Sequence, residues 1–228
     1  MSSDRNTART TGILFIVATA ASIASSPFLT SISSSNYLVD VSANANAVLV
    51  GVLLAFIAAI ASASIAIALY PTLKKYNEPL ALAAVSFRLI EGALYIVGIV
   101  GLIALLTVSQ QSQLFRILSL YPSYFQVLGD SLLAGYHWVY YVGAVWAFCL
   151  GALMYYIIFY RTKLVPRWLS VWGLVGVALL AVAALLVMIG VIAPLSSSQV
   201  VLALPIAVQE MALAVWLIFK EFNPKTLM

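Results

Sequence analysis

The apolar positions of this chain fall into six long blocks, each continuously hydrophobic rather than alternating with polar residues. A helix rises about 1.5 Å per residue, so about twenty apolar residues cross a hydrocarbon core about 30 Å thick. Blocks at about 11–29, 46–70, 80–108, 136–160, 169–193 and 201–220 meet that length. A membrane barrel would need short alternating strands, and none of the blocks alternates. The pattern therefore predicts an all-α fold, a polytopic bundle of six transmembrane helices forming one domain over residues 1–228.

Two connections are longer than turns. Residues 30–45 are rich in Ser and Asn and read as an exposed loop. Residues 109–135 mix Leu114, Phe115, Ile117, Leu118 and Leu120 with Gln113 and Arg116, and are then broken by Pro122. That mixture predicts a short helix lying in the outer interface.

Composition agrees with the pattern. Hydrophobic residues make up 64% of the 228, charged residues only 8%, and the mean hydropathy is +1.09. A soluble domain is roughly a quarter charged, so lipid is the solvent this surface requires. The net charge of +4 is explained by topology rather than by nucleic acid. With the N-terminus inside, the cytoplasmic segments hold Arg5, Arg9, Lys74, Lys75, Arg161, Lys163, Arg167, Lys220 and Lys225, and the opposite side holds only Arg116. Nine against one predicts both termini in the cytoplasm of a cell-membrane protein. The first block has a basic start and small residues at 21–26, as a leader would, but is read as an uncleaved first helix.

Small residues mark close packing. Gly51, Ala55, Ala59 and Ala63 recur every four positions in the second span, which is expected to be central; Gly98, Gly101, Gly173 and Gly176 are expected to act similarly. Tyr136, Trp138, Tyr140 and Tyr141 at one end, with Tyr155, Tyr156, Tyr160, Trp168 and Trp172 at the other, read as aromatic belts.

The polar residues inside the spans carry the chemistry. A charge at the centre of a span costs roughly 2.5–3.5 kcal/mol even on the lenient insertion scale. Arg88 and Glu91 in the third span and Glu210 in the sixth accept that cost, and Gln209 adds an amide. Arg88 and Glu91 stand three residues apart on one helix face, and Tyr95 continues the stripe. Counted from Pro79, Arg88 lies about 13 Å deep and Glu91 about 18 Å; counted back from Lys220, Glu210 lies about 15 Å deep. The common depth predicts a midplane cluster of Arg88, Glu91, Tyr95, Gln209 and Glu210 joining the third and sixth helices. One positive and two acidic groups balance when one acid holds a proton, or when a cation or water joins them. Pro205 removes a backbone N–H just before Gln209, and predicts a helix kink that opens a polar cavity.

Three stretches together resemble a family of bacterial and archaeal multi-pass membrane proteins catalogued as a domain of unknown function. Residues 69–92 read LYPTLKKYNEPLALAAVSFRLIEG, residues 164–176 read LVPRWLSVWGLVG, and residues 204–222 read LPIAVQEMALAVWLIFKEF. The resemblance implies a helical membrane protein whose pattern includes Arg88, Glu91, Pro166, Arg167, Trp168 and Glu210, and it implies no activity. Members of that family often read Lys-Gly-Phe where this chain has Lys220-Glu221-Phe222, which bears on where the sixth helix stops.

Three functions compete. A small-ligand, ion or proton binding or transport protein would use the midplane cluster, although no convincing inverted repeat is visible. A structural or sensory scaffold would use the same residues only as a helix-locking salt bridge. An intramembrane enzyme fits worst: His137 is the single histidine and sits near the outer surface, and Cys149 is the single cysteine. That leaves no metal site of several histidines or thiolates, and Asp40 and Asp130 fall outside the spans. No cofactor is expected. The expected partners are the lipid bilayer and a small ligand or proton at midplane, with homo-oligomerisation open and no nucleic acid.

Overall fold

The computed structural model of the chain describes residues 2–117, 122–194 and 196–223, and every regular element among them is helical. Helix α1 (Ser2–Ser25) continues into a 3-10 turn at Ser26–Ser33, where Pro27 sits in the first turn and tightens the winding. A short α2 (Tyr37–Ala43) precedes α3 (Ala45–Leu73) and α4 (Glu78–Ile117). Helix α5 (Pro122–His137) passes through a π-helical segment, Trp138–Ala144, into α6 (Val145–Thr162). Helices α7 (Arg167–Met188) and α8 (Ser197–Phe219) complete the chain. Six helical stretches are long and apolar enough to cross a membrane: Arg5–Ser33, Ala45–Leu73, Glu78–Phe115, Ser123–Thr162, Arg167–Met188 and Ser197–Phe219.

The six spans form a ring in chain order. α1 packs on α3, α3 on α4, α4 on α6, α6 on α7, α7 on α8, and α8 returns to α1. Close approaches replace the hydrophobic drive that lipid does not supply. A Cβ on Gly12 would lie 2.7 Å from the Ala214 carbonyl oxygen, and one on Gly176 would lie 2.9 Å from Ile206 Cα, so α8 presses directly on both neighbours. Gly51, Gly98 and Gly173 also face neighbouring side chains, whereas Gly101 faces open space and takes no part in packing. The most enclosed span is the fourth, with 61% of its apolar window buried against 44% for the second, so the second span is not the centre of the bundle.

The segment expected to lie flat in the interface does not do so. Leu114 and Phe115 belong to the unbroken α4, whose 40 residues reach about 60 Å, twice the hydrocarbon thickness. α5 packs back along α4 and α2 packs on α4, so a helical hairpin forms at the end opposite the termini. Val41, Leu105, Leu106 and Phe125 belong to an apolar core that continues through Val48, Val52 and Ala55 of α3. The Tyr37 hydroxyl donates to Asp130 Oδ1 at 2.6 Å, Gln126 Nε2 donates to the same oxygen at 2.9 Å, and Gly129 leaves room for the Tyr37 ring. Of the positions in the expected interfacial helix, Leu118 and Leu120 lie outside the described residues, as does Lys225 of the charge pattern.

At the opposite end Arg5 and Arg9 reach Glu221 at 2.7 and 3.4 Å, tying the first helix to the residues after the last. Glu221 takes a left-handed conformation with φ 62°, which stops α8, and Phe222 folds back as a buried side chain. A glycine would adopt that conformation without strain.

Candidate functional site

Helix α4 carries Arg88 and Glu91 on one face, and both are 1% exposed. Arg88 Nη1 lies 3.0 Å from Glu91 Oε2. Ser62, one turn from the middle of α3, completes the group. Its hydroxyl donates to Glu91 Oε1 at 2.9 Å and accepts from Arg88 Nη2 at 2.8 Å, while the Ser62 carbonyl accepts from the same nitrogen at 2.9 Å. The guanidinium carbon lies 4.7 Å from the centre of the Phe148 ring, on α6. Gly151 makes room for the arginine stem, since a Cβ there would stand 2.9 Å from Arg88 Cγ. The arginine is therefore held by three helices, with Arg88 Nε left without an acceptor.

Helix α8 presents Gln209 and Glu210 in different directions, as consecutive helical residues must, about 100° apart. Gln209 is wholly buried. Its amide donates to the Leu169 carbonyl at 2.9 Å and its oxygen accepts from the Tyr156 hydroxyl, so it fastens α8 to α7 and α6. Glu210 points inside the ring, where it accepts from the Tyr155 hydroxyl at a long 3.5 Å. Helix α8 runs unbroken through Pro205.

A cavity of about 310 Å³ occupies the ring interior between these groups. Glu91, Ser62, Tyr95, Tyr140, Phe148, Thr19, Ser22 and Glu210 line it, together with small residues of α1, α3 and α8. Its size falls at the lower end of small-molecule sites, about 300–1,000 Å³. A second cavity of about 400 Å³ lies beside it, walled by Ser25, Ser26, Thr30, Ser33, Tyr136 and Tyr141. Ser22 and Tyr140 line both, so hydroxyl groups lead from the 3-10 turn toward the two glutamates. Tyr140 is placed there by the π-helical segment and packs on Tyr95 with ring centres 4.5 Å apart. Single π turns inside α-helices recur at functional sites because the extra residue per turn re-aims side chains.

The structure thus brings Glu91, Tyr95 and Glu210 to one cavity, puts Arg88 behind Glu91, and turns Gln209 away. It also corrects the expected junction. The third and sixth spans do not pack as a pair: α4 neighbours α3 and α6, α8 neighbours α7 and α1, and the two face each other across the cavity. The belt reading needs correction as well. Tyr136, Tyr155 and Tyr156 are buried, and Tyr140 and Tyr141 are half-buried, whereas Trp138, Tyr160 and Trp168 are exposed as a belt requires. His137 is half-buried and stacks near Tyr136 and Tyr141, away from the glutamates.

Sequence reasoning missed Ser62 as a ligand of the ion pair and Tyr155 as the neighbour of Glu210. A hydroxyl in an otherwise alanine-rich span was the available signal for the first. For the second there was none, because a tyrosine near a span end reads equally well as a belt residue.

Comparison with curated proteins and with solved structures finds no match. The family model described as a domain of unknown function (DUF4386) matches residues 10–220, nearly the whole chain, and the protein belongs to that family.

Proposed function

We propose that this multi-pass membrane protein binds a proton or a compact monovalent cation at Glu210, in the cavity at the middle of the bundle. One observation carries the reading: Glu91 and Glu210 line the same space, and only Glu91 has a cation against it. Arg88 and Glu91 neutralise one another, which leaves the second carboxylate needing one positive charge in a site of low dielectric. The hydroxyl-lined second cavity supports access from the hairpin end. The nine-to-one distribution of basic residues supports placing both termini in the cytoplasm, so that access is from outside.

A helix-locking role is favoured by a different observation. Gln209 and Arg88 each join three helices, and neither lines the cavity. Lock and binding site therefore divide the polar residues between them.

The test uses purified full-length protein in liposomes loaded with a pH-sensitive dye, under an imposed potassium diffusion potential. Proton flux, or stabilisation by Na⁺, K⁺ or methylammonium in detergent, is expected to vanish in Glu210→Gln and to persist in Glu210→Asp. Unchanged flux and unchanged cation stabilisation in Glu210→Gln, with only thermal stability reduced, would reduce the whole cluster to helix glue.

A further inference from the structure

We propose a second site, for the phosphate of an anionic glycerophospholipid, at the end of the bundle that holds the termini. A pocket of about 550 Å³ opens there between the α6–α7 turn and the end of α8. Lys163, Arg167 and Lys220 line it, with Trp216 in its wall and Asn223 and Glu221 at its rim. The one carboxylate present is already engaged, because Glu221 carries Arg5 and Arg9. Among the described residues no carboxylate pairs with Lys163, Arg167 or Lys220. Three cations thus converge on one concave space with no anion assigned to them.

The pocket is built rather than fortuitous. Lys163 sits at φ 58°, closing α6, and its carbonyl accepts from the Asn223 side-chain amide at 3.5 Å. The Asn223 backbone N–H donates to the Leu164 carbonyl at 2.9 Å, so the segment after α8 is stapled to the α6–α7 turn. Arg167 rests over the Tyr160 ring, 5.5 Å from its centre. A guanidinium placed there keeps in-plane N–H groups to meet a planar or tetrahedral oxyanion.

The location selects a lipid over a soluble anion. The pocket lies at the ends of three spans, where hydrocarbon gives way to headgroups, and Phe219 and Trp168, next in sequence to its Lys220 and Arg167, are 76% and 57% exposed. An acyl chain covers such side chains while its phosphate meets the cations, the arrangement by which basic pockets between spans hold anionic lipids. Glutamate at position 221 strengthens the case: its pairing with Arg5 and Arg9 draws α1 to the pocket rim.

The experiment titrates the delipidated full chain in detergent with phosphatidylglycerol or phosphatidylcholine, reading bound lipid by native mass spectrometry. Phosphatidylglycerol is expected to bind at least tenfold more tightly. Arg167→Gln alone should lower that preference several-fold, and Lys163→Asn, Arg167→Gln and Lys220→Gln together should abolish it; asparagine at 163 tolerates the left-handed backbone. Should the triple variant fail to fold, the single Arg167→Gln variant decides. Equal binding of the two lipids by the wild type, or a preference untouched by Arg167→Gln, overturns the site. Displacement of phosphatidylglycerol by millimolar inorganic phosphate overturns the lipid assignment in favour of a free anion.

Discussion

Ser62 offers the sharpest test of how the buried ion pair is held. Replacing it with alanine removes one hydroxyl that both donates to Glu91 at 2.9 Å and accepts from Arg88 at 2.8 Å. Hydrogen bonds to charged groups contribute about 1.5–3 kcal/mol each in soluble proteins, whereas interhelical bonds within membranes average about 0.6 and reach about 1.7. Arg88 Nη2 keeps the Ser62 carbonyl, so the arginine loses little. Glu91 Oε1 loses its donor while remaining buried, which places the main cost on the glutamate. One bond at the upper membrane value plus a partial second one gives about 2 kcal/mol for Ser62→Ala. The assay is reversible unfolding in mixed detergent–SDS micelles, followed by helical circular dichroism, with Ser64→Ala as the control two residues along the same helix. A double-mutant cycle with Glu91→Gln should return a coupling of about 1 kcal/mol or more. A Ser62→Ala variant indistinguishable from Ser64→Ala, or strict additivity with Glu91→Gln, would refute the network.

Gly151→Ala should destabilise by about 1–3 kcal/mol in the same assay, because the new Cβ meets both Arg88 Cγ at 2.9 Å and the Ala84 carbonyl at 3.3 Å; Gly101→Ala, facing open space, should stay within about 0.5 kcal/mol of wild type. At position 221 the left-handed backbone favours glycine, so Glu221→Gly should be more stable than Glu221→Ala by about 1 kcal/mol by thermal unfolding, although both lose the pairs with Arg5 and Arg9. Tyr37→Phe removes the bond to Asp130 and should raise hydrogen exchange in α2 without altering the spans. Burial, and then the Asp130 carboxylate, raise the Tyr37 phenol above its usual value of 10.0. The clamp therefore contributes fully below that pH and weakens above it, an alkaline loss that Tyr37→Phe should diminish in stability measured against pH.

Some of this structure is written along the helix axes, and that part is legible in sequence. Apolar length alone locates six spans, and helical rise alone puts Arg88, Glu91 and Glu210 at a common depth. Direction around each axis is another matter. In water a helix announces its inward face by apolar periodicity, but lipid is as apolar as a helix interface, so inward and outward faces of a span look alike. Hence the ring order, and the separation of α4 from α8 by a cavity, could not be read from the residues. The same blindness turned Tyr155 and Tyr156 into belt residues and left Gln209 and Glu210 as one cluster, although each faces a different neighbour.

What does carry direction is the pairing of a small residue with a large one across an interface. Gly151 and Arg88 show how. The missing side chain on α6 is the space that the arginine stem occupies, so neither residue has its present environment without the other. Once Arg88 is fixed there, Glu91 follows one turn later, with its carboxylate held between Arg88 and Ser62. That leaves Glu210 as the acid facing the cavity with no ion pair, because Arg88, the buried arginine among the described residues, is already committed to Glu91. A packing requirement at Gly151 thereby becomes a chemical one at Glu210. Enlarging Gly151 should disturb the charge balance of the cavity as well as the stability of the bundle, so Gly151→Ala should also change cation stabilisation at Glu210, a residue it does not touch. A variant that loses stability yet keeps wild-type cation dependence would separate the two and break that chain of reasoning.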